Sequence, residues 1–288
     1  MRSSAFLSLS FSLCFLLLSA GLPAQELQPL HAIHGFSTPE CVVADPETGF
    51  AYVSNIASAP EGYWTDTGAG FISRISPDGK LDQLKWVEST EAFPLHQPKG
   101  MAILNGVLYA ADNRRVVAYS LADGSFRKSY APAGAGRLND MAAGDGAVYV
   151  SDVEKGHIWR VDISGAGNHA LVGEIEGVNG VTVHGEKLYA VSWTLHEIYE
   201  VDPAGQNAPV PFGLAEHFTN LDGIEVTPSG DFIVSDFVGN KICIITADRK
   251  SVRTLHTLQS PADIGTAWHE NRIYIPQFDD NVVIIAEF

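Results

Sequence analysis

Cysteine is scarce in this chain: Cys14, Cys41 and Cys243 are its only three in 288 residues, and no two stand in a Cys-x-x-Cys spacing. That excludes a cysteine-based zinc site and a thiol nucleophile supported by neighbouring ligands. Positive charge is also short, with 18 Lys and Arg against 34 Asp and Glu, a formal net charge of −16. Such a balance argues against a nucleic-acid backbone or an anionic membrane surface as partner, and permits cations. Familiar catalytic signatures are missing as well. There is no Gly-x-Ser-x-Gly elbow and no phosphate-binding glycine loop, and His196-Glu197 runs into Ile198-Tyr199-Glu200 rather than a second zinc-binding histidine. After the first two dozen residues, no stretch keeps a helical period for long.

Long apolar runs are limited to one, from Ala5 to Leu22, preceded by Arg2 and followed by Pro23-Ala24-Gln25. It is short for a membrane span, is interleaved with serine and ends near a proline, so it reads as a secretory signal peptide cut after Ala24. Residues 1–24 are therefore expected to be a leader and 25–288 a single exported domain, secreted or periplasmic, with no membrane span once the leader is removed. Cys41 and Cys243 would then remain, among alternating apolar neighbours, as two buried free thiols.

What the chain has in abundance is repetition. Six similar phrases recur: Pro39-Glu40-Cys41-Val42, Pro98-Lys99-Gly100-Met101, Leu138-Asn139-Asp140-Met141, Val178-Asn179-Gly180-Val181, Leu221-Asp222-Gly223-Ile224 and Pro261-Ala262-Asp263-Ile264. After the first interval their spacing stays near 40. Each opening leads into a short apolar strand and a turn rich in Gly, Asn or Asp, such as Asn105-Gly106 or Asp145-Gly146. A strand with an early aromatic (Tyr52, Tyr109, Tyr149, Tyr189, Phe232, Tyr274) and then an alternating strand follow. A period of about 40 residues made of short strands signals a β-propeller. The expected fold is all-β, a six-bladed β-propeller. The last unit lacks a fourth strand, so the segment from Leu27 to Ile33 is expected to complete it and close the ring. The longer first interval holds two loops, residues 57–69 with Tyr63-Trp64 and residues 88–97, which read as a lid or as loop packing.

The second position of the openings forms a polar column. In a propeller it sits at the mouth of the central channel, so Glu40, Asn139, Asn179 and Asp222 are expected to converge there from four blades. Two carboxylates and two amide oxygens suit a hard divalent cation. Asp152, Trp193 and Asp236, at the ends of second strands, reach the same face and serve either the pocket or the loops.

These openings resemble those of the senescence marker protein/gluconolactonase family, the regucalcin-like six-bladed propellers. The resemblance rests on Glu40 in the first blade, Arg137-Leu138-Asn139-Asp140 in the third, Asn179-Gly180 in the fourth and Asp222-Gly223 in the fifth. It implies that Glu40, Asn179 and Asp222 bind one divalent cation, Ca²⁺ first, with Mg²⁺, Mn²⁺ or Zn²⁺ as alternatives. It further implies that Arg137 and Asn139 contact substrate and that Asp222 also takes the proton from an attacking water. The chain departs from the family at Cys41-Val42, where Gly and Pro are usual, and at Met141. Lys99 and Ala262 are silent openings, and Asp263 has no role to carry over.

The function expected on this basis is an exported, monomeric, metal-dependent lactonase-like hydrolase of a sugar or other small lactone. The alternative is a non-enzymatic propeller serving as an extracytoplasmic binding platform. A lyase of cyclic esters is a third option, which wants a histidine base that the opening column does not contain.

Overall fold

The computed structural model describes residues 27–164 and 167–288. The expected leader lies outside the described residues. Among them no helix is long and apolar enough to cross a membrane.

Among the described residues the first strand is β1 (Gln28–His34) and the last is β24 (Val282–Glu287), and these two strands pair antiparallel, Ile33 opposite Val283. Blade 6 is thus β1 together with β22 (Gly265–Ala267), β23 (Arg272–Gln277) and β24, as the repeat predicts. Closure of this kind leaves the ring no open sheet edge between first and last blades. Blade 1 comprises β2 (Pro39–Ala44), β3 (Ala51–Asn55), β4 (Phe71–Ile75) and β5 (Leu81–Glu88). Blade 2 follows with β6 (Pro98–Leu104), β7 (Val107–Asp112), β8 (Arg115–Ser120) and β9 (Phe126–Tyr130). Blade 3 runs β10 (Leu138–Gly144), β11 (Ala147–Asp152), β12 (His157–Asp162) and β13 (His169–Glu174). Blade 4 has β14 (Val178–His184), β15 (Lys187–Ser192), β16 (Ile198–Val201) and the short β17 (Val210–Pro211). Blade 5 has β18 (Leu221–Val226), β19 (Phe232–Asp236), β20 (Lys241–Ile245) and β21 (Val252–Thr257). All six sheets are four-stranded and antiparallel.

Local sequence accounts for the hairpins. Asn105-Gly106 and Asp145-Gly146 both take positive φ, 52° and 72° in the first pair and 49° and 68° in the second. Two consecutive left-handed residues give the turn that matches strand twist, and Asn-Gly and Asp-Gly adopt it at least cost. The core lies between blades rather than within one layer. Six apolar clusters fill the six interfaces, for example Tyr52, Trp86, Met101 and Val117 between blades 1 and 2. Each second-strand aromatic faces one of these clusters, so alternate residues of a strand serve opposite neighbours. Cys41 and Cys243 are free and buried, the state expected for them.

Candidate functional site at the mouth of the channel

A repeated irregularity turns the opening residues toward the axis. In blades 1 to 5 the first strand slips by one residue against the second: Pro39 faces Asn55 but Val42 faces Val53, and Leu138 faces Asp152 but Met141 faces Val150. An extra residue in one strand is a β-bulge, which bends the strand and re-aims its side chains. In blades 1, 3 and 5 the amide freed by the bulge is satisfied by the serine near the end of the second strand. Cys41 N–H donates to Ser54 Oγ (2.9 Å), Asp140 N–H to Ser151 Oγ (2.9 Å) and Gly223 N–H to Ser235 Oγ (2.7 Å).

In blades 2, 3 and 5 the last residue of the second strand, an aspartate, locks the loop entering the blade. Asp112 accepts from the amides of His96 and Gln97, Asp152 from Gly136 and Arg137, and Asp236 from Thr219 and Asn220. Asp152 and Asp236 are therefore structural anchors for the loops, not groups facing a pocket. Trp193, the third residue singled out at a second-strand end, does line the mouth.

The four polar openings do come together there. Glu40, Asn139, Asn179 and Asp222 line one cavity of about 410 Å³, with Arg137 at its rim. A wider cleft of about 760 Å³ beside blade 3 is lined by outer residues such as Arg160 and Lys187 and gathers none of the mouth residues. At the floor of the mouth the amides form a directed chain. Asn179 Nδ2 donates to Asp222 Oδ1 (3.0 Å), and Asn139 Nδ2 donates to Asn179 Oδ1. The carboxylate sets the direction, because it can only accept when ionised. Asn179 Oδ1 is consequently engaged, whereas Asn139 Oδ1 is left without a donor, as is Glu40 Oε2; both atoms are buried. Buried acceptors without partners are uncommon and costly, and two in one cavity call for a positive group.

The electrostatics agree. Burial first, and then the charge of Asp222, hold the Glu40 carboxyl well above the usual carboxylate range, against the pull of Lys99. Burial together with the charge of Asp140 lifts Asp222 to about 7, although the Asn179 hydrogen bond opposes the rise. Two buried acids that cannot both ionise comfortably are a receptive environment for a cation. The donor set, carboxylate and amide oxygens, fits a hard divalent ion.

Lys99, silent in the sequence reading, proves to be part of this site. Its ammonium lies in the column beneath Trp64, 3.9 Å from a ring centroid, and donates to the carbonyls of Tyr63 (2.9 Å) and Gln97 (3.1 Å). Burial lowers its pKa to about 8 while Glu40 and Asp112 pull the other way. Arg137 stands over the same Trp64 at 5.4 Å. The Tyr63-Trp64 loop is thus a cover on the mouth, held from blade 2 by Lys99 and by Asn113, whose Nδ2 donates to Asp66 (2.7 Å).

The rest of the wall is apolar and comes from a second column that sequence reading took in only at Trp193. The residues following the second strands are Ile56, Asn113, Val153, Trp193, Phe237 and Phe278, and all but Asn113 line the cavity. Each of the lining five is pinned by its amide to the carbonyl before an opening; Phe237 N–H to Asn220 O, for instance, is 2.9 Å. The signal was available in register, one residue past the end of each second strand.

Fold and mouth together define a six-bladed β-propeller with a polar site at one end of its channel. No family model and no curated protein sequence matches the chain. Among solved structures it is similar to selenomethionine-substituted virginiamycin B lyase from Staphylococcus aureus, at 15% identity and TM-score 0.63 over 91% of this chain and 99% of that one. A catalytically inactive variant of that lyase with quinupristin matches at 15% identity and TM-score 0.58, over 93% and 97% of the two chains. A structural-genomics protein of unknown function from Bacteroides thetaiotaomicron VPI-5482 matches at 15% identity and TM-score 0.67, covering 91% of this chain and 72% of that one. At such identities the likeness is one of fold. No histidine is among the residues lining the mouth of the present chain.

Proposed function

We propose that this protein is an exported hydrolase of small lactones, dependent on one divalent cation, of the regucalcin/gluconolactonase kind. The observation that carries the reading is the pair of orphaned, buried acceptors, Glu40 Oε2 and Asn139 Oδ1, in the cavity that also holds Asp222. Glu40, Asn179 and Asp222 would hold the ion, Ca²⁺ before Mg²⁺, Mn²⁺ or Zn²⁺, and the free oxygen of Asn139 adds a fourth candidate donor. When bound, a divalent cation polarises an ester carbonyl and lowers the pKa of water.

The chain's own residues supply the rest. Asp222, at about 7, sits where a carboxylate can both accept and return a proton near neutral pH. Opening a lactone with water breaks the acyl–oxygen bond, adds hydroxyl to the carbonyl carbon and delivers the proton to the ring oxygen. Asp222 is suited to carry that proton between the two. Arg137, exposed at the rim, can orient an oxygen-rich part of the substrate. The Tyr63-Trp64 cover keeps bulk water from the floor.

A second reading, the extracytoplasmic binding platform, draws on Lys99, whose ammonium already places one positive charge beside Glu40. Metal analysis of the purified mature protein, with lactone hydrolysis before and after chelation, separates the two. The hydrolase reading expects about one ion per chain and turnover that chelation abolishes and Ca²⁺ restores. An ion-free protein whose behaviour Asp222→Ala leaves unaltered would sink it. Export is checked by the N-terminus of the mature protein, expected at Gln25.

A further inference from the structure

The mouth has two kinds of lining, and they are segregated. Hydrogen-bonding and charged groups lie on the floor and beside Trp64, whereas blades 4, 5 and 6 present Trp193, Phe237 and Phe278. With Tyr63 these rings make a continuous arc: Trp193 to Phe237 is 5.5 Å, Phe237 to Phe278 5.6 Å and Phe278 to Tyr63 5.3 Å between centroids. Their planes meet at 53°, 75° and 88°, so no ring is covered face to face by its neighbour. All four side chains are only half-buried. Four part-open rings gathered around one cavity form a contiguous apolar patch of the kind that marks a ligand-binding site.

We propose that the mouth selects lactones or esters bearing a flat apolar ring, the acyl group on the polar floor and the ring against the aromatic arc. This inference rests on the hydrolase reading for the chemistry at the floor, but its own content is the class of substrate. A bare polyhydroxylated lactone would find donors and acceptors at the floor and, on the arc, nothing but the Tyr63 hydroxyl and the Trp193 N–H to receive its hydroxyls. A ring-bearing one gains edge and face contacts along the arc and loses apolar surface to water. The cavity, about 410 Å³, admits a small molecule and is too small for a protein segment of any length. The arc is also built to last: each ring follows a second strand and is tied by its own amide, Trp193 to Gly177 and Phe278 to Ser260 (2.9 and 3.0 Å).

Two lactams, which resist hydrolysis, test the idea by calorimetric titration of the full-length mature protein: γ-butyrolactam and its γ-phenyl derivative. The phenyl compound is expected to bind at least about tenfold more tightly. Phe237→Leu and Phe278→Leu, which keep apolar volume, are expected to cut that ratio severalfold with the melting temperature held. Val238→Ala, exposed beside Phe237, should keep the parent ratio. Equal affinity for the two lactams, a ratio that neither Leu variant moves, or no binding of either compound overturns the inference. Failure to hydrolyse any lactone would instead count against the hydrolase reading alone, since lactam binding is read without turnover.

Discussion

Two rings of side chains sit one beneath the other in the channel, and they treat polarity in opposite ways. The upper ring, the second position of each opening, contains Glu40, Lys99, Asn139, Asn179 and Asp222, and it leaves acceptors orphaned beside a cavity. The lower ring, the third position, contains Cys41, Asp140 and Asp263 between three glycines. Here the acids are satisfied from within. Asp140 accepts from the amides of Met141 and Val181, both at 2.6 Å, and shares a hydrogen bond with Asp263, whose carboxyl is held well above the usual carboxylate range by burial and then by Asp140. The glycines make the space: a Cβ at Gly100 would stand 2.3 Å from Asp140 Oδ1, and one at Gly223 2.5 Å from Asp263 Oδ1. Equally buried carboxyls one residue apart can thus be either tools or struts. What separates Asp140 from Asp222 is that backbone donors reach its carboxyl.

That contrast is easiest to break at its extremes. Asp222→Asn is expected to lower lactone turnover by about 10²- to 10⁴-fold, the range for losing a positioned acid–base group. It should leave the melting temperature unchanged or higher, because a buried acid lifted to about 7 is replaced by a neutral isostere. Steady-state kinetics with a thermal melt would show it. Asp140→Ala should do the reverse. Orphaning two buried amides is expected to cost about 2–4 kcal/mol in urea unfolding, with turnover of the folded fraction within the same order of magnitude. If both variants lose stability alike, the two rings are not functionally distinct.

The lower channel also sets a pH dependence. Glu225 is half-buried by exposed area yet enclosed within the channel, and that enclosure, with the charge of Asp140, lifts it to about 8. The native carboxyl keeps its proton up to that pH, while the unfolded one releases it near 4.5. Between those values the native state binds more protons, so stability is fully present below the lower value and falls as pH rises through the upper. Melting temperatures measured from pH 5 to 9 should decline, and Glu225→Gln should flatten the decline. The smallest effect expected is at Lys99. Lys99→Met removes the resident charge beside Glu40 and the tie to Tyr63, so cation affinity should tighten roughly tenfold. Amide exchange at residues 63 and 64 should quicken in the same variant. An unchanged affinity would mean that Lys99 and the ion do not share the mouth.

Much of the fold could be read directly from the chain. The period near 40, the Asn-Gly and Asp-Gly turns and the missing last strand together specified six closed blades, including the pairing of β1 with β24. The convergence of Glu40, Asn139, Asn179 and Asp222 was legible for the same reason, since matched register in a ring implies a shared mouth. Lys99 was not, because an ammonium among oxygen ligands looks like a gap until the Tyr63 carbonyl and Trp64 ring are seen to hold it. Phe237 and Phe278 were missed because an aromatic after a strand is ordinary in sequence, and only three blades side by side turn it into an arc. The Asp152 and Asp236 carboxylates, which the sequence could not assign, are spent on loop amides.

The sequence alone therefore determined the six-bladed ring and its polar column, because periodicity is a local property and a closed ring converts it into position. The tertiary structure alone decided which polar groups in that column are free. Hydrogen-bond satisfaction depends on donors that arrive from other blades, and no spacing along the chain records where they stop.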